Sequence, residues 1–584
     1  MQAYALDVWK HIFGDKLVFV NLRASRVNGK PMKSPYTKKF PTAHKTQGIP
    51  IIPPVKKSTF HESISLLPIL KVSFAVPVIL IKSKEFGSFT MPAITTYILN
   101  ENNPREIYTE KRLHSTGIKR TTIHVQEPTL SFDQVEHLSL KYDFAITDTP
   151  KPWTEKDLEF FKTAAGETLF SQLTLISEPN VAPNFAMMTA AERLFKSLFM
   201  YFDQRLSQNA SLDESWPYYK RLEDALYPWI HPHWENLFHI NNQTNGQGIV
   251  MCVGNGQFKF AATSIRVIRM LNTKLPIEVF FIREDDLSVA KRYYLKSEMD
   301  NVTLRKLDDY ISDYYTKFGG WAMKPFAMLA SHFTEVILVD ADAYFLQDPA
   351  LLFQDQAYAL TGALFFYDRT LFPNWHVGPD WLRSFLPTMS SLVPHTRWFK
   401  YTSSHEQESG VVVMNKRKAL LGLLSTCKLN GKSERDEVVY KHVHGDKETF
   451  WIGHEIMQTP YAFIKSFGAV IGNMGRGGQD GEPTQVCGVQ LHLDTTGTPL
   501  WFNGGLYRNK YKETLEYLNF THFAQGDDWE FATHCIKNTD KIHELSPDQR
   551  SIALAAVELD KQREKDEELL EQGLWKPKKT IASH

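Results

Sequence analysis

The chain is short of cysteine, of net charge, of complete nucleotide fingerprints and of long apolar runs, and each shortage excludes a class of protein. Four cysteines in 584 residues make no disulfide scaffold. They permit three full pairings, among which spacing does not choose. Sixty-six Lys and Arg balance sixty-six Asp and Glu, so no whole-chain field attracts nucleic acid and any charge-driven function is local. No GxxxxGK[ST] loop occurs. The turn "VGNGQFK" offers Gly254 and Gly256 but has Lys259 where a dinucleotide fingerprint needs its third glycine. Core-forming residues are plentiful: 43% hydrophobic and 13% aromatic against 23% charged excludes disorder as the general state.

The scarce apolar runs include one of interest. "ISLLPILKVSFAVPVILI", Ile64 to Ile81, reaches the lower limit of about 17–25 residues for a membrane span, although Pro68, Lys71 and Pro77 interrupt it. Residues 1–62 before it carry eleven Lys and Arg against three Asp and Glu, a formal +8 on an extended, proline-containing arm. A signal anchor at 64–81 would keep that arm cytoplasmic and place everything downstream in a lumen. The competing reading is a buried strand pair broken at the prolines. Sequons at Asn209, Asn242, Asn301 and Asn519 all lie downstream, as lumenal topology requires.

At 584 residues more than one structural region is expected. Residues 82–245 read as a stem and accessory region, helical from about Pro152 to Trp234 by the spacing of segments such as "AAERLFKSLFMYFDQRL". From 246 to 540 short apolar strands alternate with helices: "GIVMCVG", "QFKFAATSIRVIRMLN", "IEVFFI", "GGWAMKPFAMLASHF" and "EVILVDAD". That alternation predicts an α/β domain with a mainly parallel central sheet, preceded by the helical subdomain. Residues 541–584 read as a charged, solvated terminal helix, and "GRGGQDG" at Gly475–Gly481 as a mobile loop.

Ligands of open α/β sheets bind at the carboxyl ends of the strands. Gly254 lies at one such end, and in "VILVDADAYF" Asp340 and Asp342 lie at another. At a strand's frayed end both carboxylates can turn to one cation, and hard oxygens suit Mg²⁺ or Mn²⁺, whose shells substrate phosphates complete. Turn chemistry is the bland alternative. The nearby Asp348 precedes Pro349 and reads as a helix N-cap, not a ligand. Lys324, just inside a helix N-terminus after Gly319 and Gly320, is either a second positive contact for the ligand or a solvent-facing lysine.

The run "KFGGWAMKPFAMLASHFTEVILVDADAYFLQDPALLF", followed in order by "TGALFFYDRTLF", "QESGVVVMNK" and "GDKETFWIGHE", closely resembles the fungal α-1,3-mannosyltransferase family of Golgi type II membrane proteins. The resemblance implies a GT-A glycosyltransferase core, a metal held by the DxD motif, and GDP-mannose as donor with retention of configuration. It further implies a mannosylated glycoprotein acceptor and a lumenal domain on the Golgi membrane. In "LHLDTTGTPLWF" the pattern His492, Gly497, Pro499 and Trp501 is similar to a segment of several retaining GT-A enzymes, which makes His492 the third metal ligand, favours Mn²⁺ over Mg²⁺, and puts Gly497 with the cofactor. Glu408, Asp446 and Glu448 lie in family-like segments as carboxylates for sugar hydroxyls or oxocarbenium-like charge, one of the three being expected to be structural. The alternatives are another nucleotide sugar as donor, or an inactive glycan-binding subunit of a glycosylation complex.

Overall fold

The computed structural model describes residues 135 to 577, apart from residue 136 and the segments 148–151, 176–182, 476–484, 509, 511–515, 532–533 and 537–540, together with the backbone of four strands upstream. Those strands, β1 (Lys71–Ser73), β2 (Thr95–Leu99), β3 (Glu106–Leu113) and β4 (Gly117–His124), pair antiparallel in sequence order and belong to a compact unit of their own. Lys71–Ser73 is the part of the 64–81 run that is described, and it is extended rather than helical. The rest of that run, the 1–62 arm and nearly all of the "GRGGQDG" segment lie outside the described residues. Among the described residues no helix is long and apolar enough to cross a membrane.

The described residues from Val135 onward form a second compact unit. At its centre is an eight-stranded sheet built from β5 (Tyr142–Ala145), β6 (Gln247–Cys252), β7 (Ile277–Phe281), β8 (Val302–Lys306), β9 (Glu335–Val339), β11 (Ala363–Tyr367), β12 (Gln407–Asn415) and β13 (Tyr461–Ile464). The spatial order is β5-β13-β11-β12-β9-β6-β7-β8. β6 to β9 run parallel, as do β11 and β13, while β12 is antiparallel to both its neighbours. β7, β9 and β12 are buried on both faces, with apolar side chains predominating in β7, β9 and the Val411–Met414 half of β12, the signature of a sheet covered by helices. This is the α/β arrangement with a mainly parallel sheet that the strand and helix alternation predicts, as the GT-A-like core implied by the resemblance requires.

Helices α1 (Glu155–Phe161), α2 (Ala164–Thr174), α3 (Phe185–Ser207) and α4 (Trp216–Leu226) make the expected helical region. α5 (Phe258–Met270), α6 (Met323–Ala330), α7 (Lys416–Leu429) and α8 (Thr449–Met457) flank the central sheet. The helical region shares the compact unit of the sheet: buried Lys196 on α3 donates to the carbonyls of Met457 and Gln458 at 2.8 and 2.6 Å, a cation at the negative end of α8.

A second, antiparallel sheet runs β10 (Ala343–Phe345), β16 (Pro499–Asn503), β15 (Val486–Leu493), β14 (Ala469–Met474), β17 (His522–Ala524) and β20 (Ile542–Glu544), with β18 (Trp529–Glu530) and β19 (Cys535–Ile536) attached through β15. Cys487 and Cys535 form a disulfide between β15 and β19; Cys252 and Cys427 are free thiols. Asp348 caps the turn that follows β10, accepting from the Ala350 amide at 2.9 Å.

The terminal helix departs from expectation. α9 (Pro547–Glu571) packs on α5 rather than standing in solvent, and its Asp560, Arg563 and Asp566 are buried. Charge on nearly every face hid this, because each buried charge is matched by a partner far away in sequence. Asp560 accepts from Thr263 at 2.6 Å and Tyr517 at 2.9 Å, and Asp566 accepts from Tyr294 at 2.9 Å.

Candidate active site

Val339 ends β9 and the chain turns at once. The Asp340 amide donates to the Gly410 carbonyl on β12 at 2.8 Å, and the Asp340 carbonyl accepts from Ala343 at 3.0 Å. The Asp342 carbonyl accepts from the amides of Gly504 and Gly505 at 3.3 and 3.2 Å, and those glycines hold φ of +112° and +90°, where a side chain would be strained. The two half-buried carboxylates are thus fixed between the two sheets. Lys324 on α6 is buried, not solvent-facing. Its Nζ lies 2.7 Å from Asp340, 3.4 Å from Asp446 and 3.3 Å from the Ser409 hydroxyl. Burial works against its charge, but Asp340 and Asp446 more than offset this and raise its pKa. Burial pushes Asp340 up to about 6 against the pull of Lys324, with Asp342 and Asp446 adding repulsion. Lys510 pairs with Asp342.

A second polar group adjoins the first. Lys447 Nζ bridges Asp368 at 2.6 Å and Glu408 at 2.7 Å. Asp368 also accepts from the Gln490 amide at 2.9 Å, and Glu408 from the Gly410 amide at 2.9 Å and the Asn503 side chain at 3.1 Å. Burial opposes ionisation of Asp368, yet Lys447, Arg369 and His405 hold it well below the usual carboxylate range. The groups meet where β12 gives Glu408 to one and the Ser409 and Gly410 carbonyls to the other, and where consecutive residues Asp446 and Lys447 divide between them.

The residues predicted from sequence do not all converge here. Asp340, Asp342, Lys324, Glu408 and Asp446 do. Glu448 does not: it is buried beside them but accepts from the Glu406 amide at 2.8 Å and the Trp451 indole at 2.5 Å, a structural role, with burial raising its pKa to about 8. His492 is not gathered with the two aspartates into one ligand set. It lies flat on Trp501, ring centres 4.0 Å apart, and burial lowers its pKa to about 4. On β15, Gln490 and His492 point together to the side of Asp368 and Glu408, the face they share with their cross-strand partners Asn503 and Trp501. Gly497 occupies the β15–β16 hairpin at φ +83°, the far end of β16 from Asn503, and serves the turn. Gly254 does end β6; a Cβ there would meet the Asp286 carboxylate at 2.6 Å.

Among the described residues, one group of three ligand-type side chains lies close enough for a metal: Glu223, Asp224 and His231. The ammonium of Lys220 is already within 2.7 to 3.2 Å of all three. Sequence reasoning passed over Lys447, Asp368, Asn503 and Lys510. Lys447 stood between two carboxylates singled out in "GDKETFW", and Asp368 in "FFYDRTLF"; nothing in sequence alone joins those segments.

With the geometry in view, comparison with known proteins is informative. The family described as "Mannosyltransferase putative" matches residues 246–494, which contain both polar groups apart from Asn503 and Lys510. Residues 246–494 are similar to the fungal α-1,3-mannosyltransferase family. It is 26% identical to "Putative alpha-1,3-mannosyltransferase MNN1" of Candida albicans over 54% of this chain and 44% of that one. To "Alpha-1,3-mannosyltransferase MNT2" of Saccharomyces cerevisiae it is 25% identical over 53% and 59%. The chain therefore spans about half the length of the curated relatives it matches. Among solved structures, core-mannan synthase A from Aspergillus fumigatus in its Mn/GDP form superposes with a TM-score of 0.27 at 11% identity, over 36% of this chain and 69% of that one. At that score the superposition carries no argument, and the α/β assignment rests on this chain's own strand order.

Proposed function

We propose that the protein is a metal-dependent, retaining glycosyltransferase that moves mannose from GDP-mannose to a mannose-terminated glycan of a glycoprotein, forming an α-1,3 linkage. The observation that carries this reading is the aspartate pair at the carboxyl edge of a parallel sheet, joined through β12 to a second polar group with unmet hydrogen-bonding capacity. The fit to a hard cation is good. Asp340 and Asp342 supply carboxylates, and the buried Asn503 Oδ1, without a hydrogen-bond partner, lies on the strand residue paired with Ala343. Asp340, Asp342 and Asn503 would hold Mn²⁺ or Mg²⁺, and the ion would neutralise charge on the departing diphosphate.

The chain's own residues supply the rest. Lys324 and Lys510 bring positive charge to the phosphate side and balance the aspartates when no nucleotide is there. Glu408 and Asp368, held ionised by Lys447, offer acceptors for sugar hydroxyls and negative charge for an oxocarbenium-like centre. Residues 246–540 are the transferase domain in this reading, with 82–245 as its accessory region. The exposed asparagines of the four sequons and the Cys487–Cys535 disulfide suit a Golgi lumen.

Thermal unfolding with GDP, Mn²⁺ or both tests the donor site. Each ligand completes the other's coordination, so the pair should raise the melting temperature by more than the sum of either alone. GDP should outperform UDP, and GDP-mannose should yield transfer to α-mannobiose. A larger response to UDP would overturn the mannose assignment, and no response to any nucleotide would indicate an inactive glycan-binding subunit.

A further inference from the structure

Beside the two polar groups an aromatic strip runs outward over the surface. Trp321, three residues before Lys324, is 52% exposed, and its ring centre lies 5.4 Å from that of His444, two residues before Asp446. His444 is 5.3 Å from His405, which sits 3.6 Å from Asp368. His405 is 6.3 Å from Phe372, and Phe372 is 5.1 Å from Phe531; these phenylalanines are 49% and 54% exposed. Five rings thus lead away from the site without a break.

Two features show that the strip is built. Gly445, at φ +65°, lies under Trp321: a Cβ there would come within 2.8 Å of the indole. Phe372 holds φ +50°, a left-handed conformation costly for a side-chained residue, and Asn374 and Tyr401 beside it do the same at +68° and +62°. Such strain persists where surrounding structure enforces it and clusters at binding sites. Solvent exposure of large apolar rings has its own cost, which a ligand removes.

We infer that the strip Trp321–His444–His405–Phe372–Phe531 is the acceptor subsite, and that it holds a neutral oligosaccharide by stacking sugar rings on the exposed faces of Trp321, Phe372 and Phe531, with buried His405 linking the two ends. This rests on the proposed function and names the substrate surface of the same site. Sugar C–H bonds, polarised by neighbouring oxygens, sit on the negative face of an aromatic ring. Burial lowers the pKa of His405 to about 4 and partial desolvation lowers that of the exposed His444, so neither ring adds positive charge for a phosphate. The donor base is the competing occupant. It is disfavoured at the Phe372 end, because Phe372 follows β11 on the other side of β9 from the turn after β6, beside which nucleotides of open α/β sheets bind, whereas Trp321 precedes α6, which packs on β6.

Calorimetric titration of the full chain with α-mannobiose tests the inference, with the GDP and Mn²⁺ melting shift measured in parallel. Trp321→Ala and Phe372→Ala should each weaken mannobiose binding about tenfold or more, as loss of a ring anchor does, while Trp321→Phe retains most of it. The GDP and Mn²⁺ shift should persist in all three variants, which also shows them folded. Mannobiose binding in a wild-type protein that ignores GDP would support the strip while sinking the donor reading. Unchanged binding in both alanine variants, loss of the GDP shift in Trp321→Ala, or no mannobiose binding by wild type would overturn the inference.

Discussion

Two groups of buried charge, one around α9 and one between β9 and β12, look alike in composition and differ in what they leave over. Around α9 every carboxylate is used: Asp560 takes Thr263, Tyr507, Tyr517 and Arg563, and Asp566 takes Tyr294, Gln562 and Arg266. Between β9 and β12, Asp446 Oδ2, Asn503 Oδ1, His405 Nδ1 and both His492 nitrogens are buried without a hydrogen bond. Buried polar atoms are rarely left so, because each costs its desolvation. Burial of charge therefore does not distinguish these two groups; the unspent capacity of their polar atoms does.

If that distinction is right, Arg563→Met should cost about 3–5 kcal/mol of stability by stranding Asp560, and leave the GDP and Mn²⁺ response intact at a permissive temperature. Urea unfolding measures the first; a lost nucleotide response would erase the distinction. Asp342→Ala should do the reverse, lowering transfer from GDP-mannose by about 10²–10³ or more with little change in melting. An active Asp342→Ala protein would end the metal-site reading.

Lys196 sharpens the comparison as a buried charge with acceptors but no counter-ion. Burial depresses its pKa to about 7, so above that pH the unfolded chain binds more protons than the folded one. Stability relative to Lys196→Met should therefore rise between pH 7 and the ordinary lysine value of about 10.4, by at most about 1.4 kcal/mol per pH unit. A flat difference across paired melts would show Lys196 charged. The smallest effect on stability is expected from His492→Phe, which keeps a ring on Trp501: under about 1.5 kcal/mol, with an Mn²⁺ titration measured alongside. A shifted titration would return His492 to the ligand set.

Local patterns made the parallel strands, their helices and the aspartate pair legible in the sequence, because period and strand-end chemistry are properties of short segments. Antiparallel β12 was harder. "QESGVVVMN" is as apolar as its neighbours and nothing in it states direction, yet its insertion between β9 and β11 brings Glu408 to Lys447. The same limit explains α9: a helix charged all round shows no apolar stripe when its buried face is held by ion pairs.

Gly410 donates to Glu408, accepts from Asp340, and has no room for a methyl group: a Cβ would sit 2.7 Å from Asn503 and 2.9 Å from Trp501. One hydrogen atom on β12 thus sets the spacing between the two sheets at the point where cation and sugar would meet. In a screen for inactive alleles, alanine at this position would score as a catalytic lesion, although the residue itself supplies no group to the chemistry.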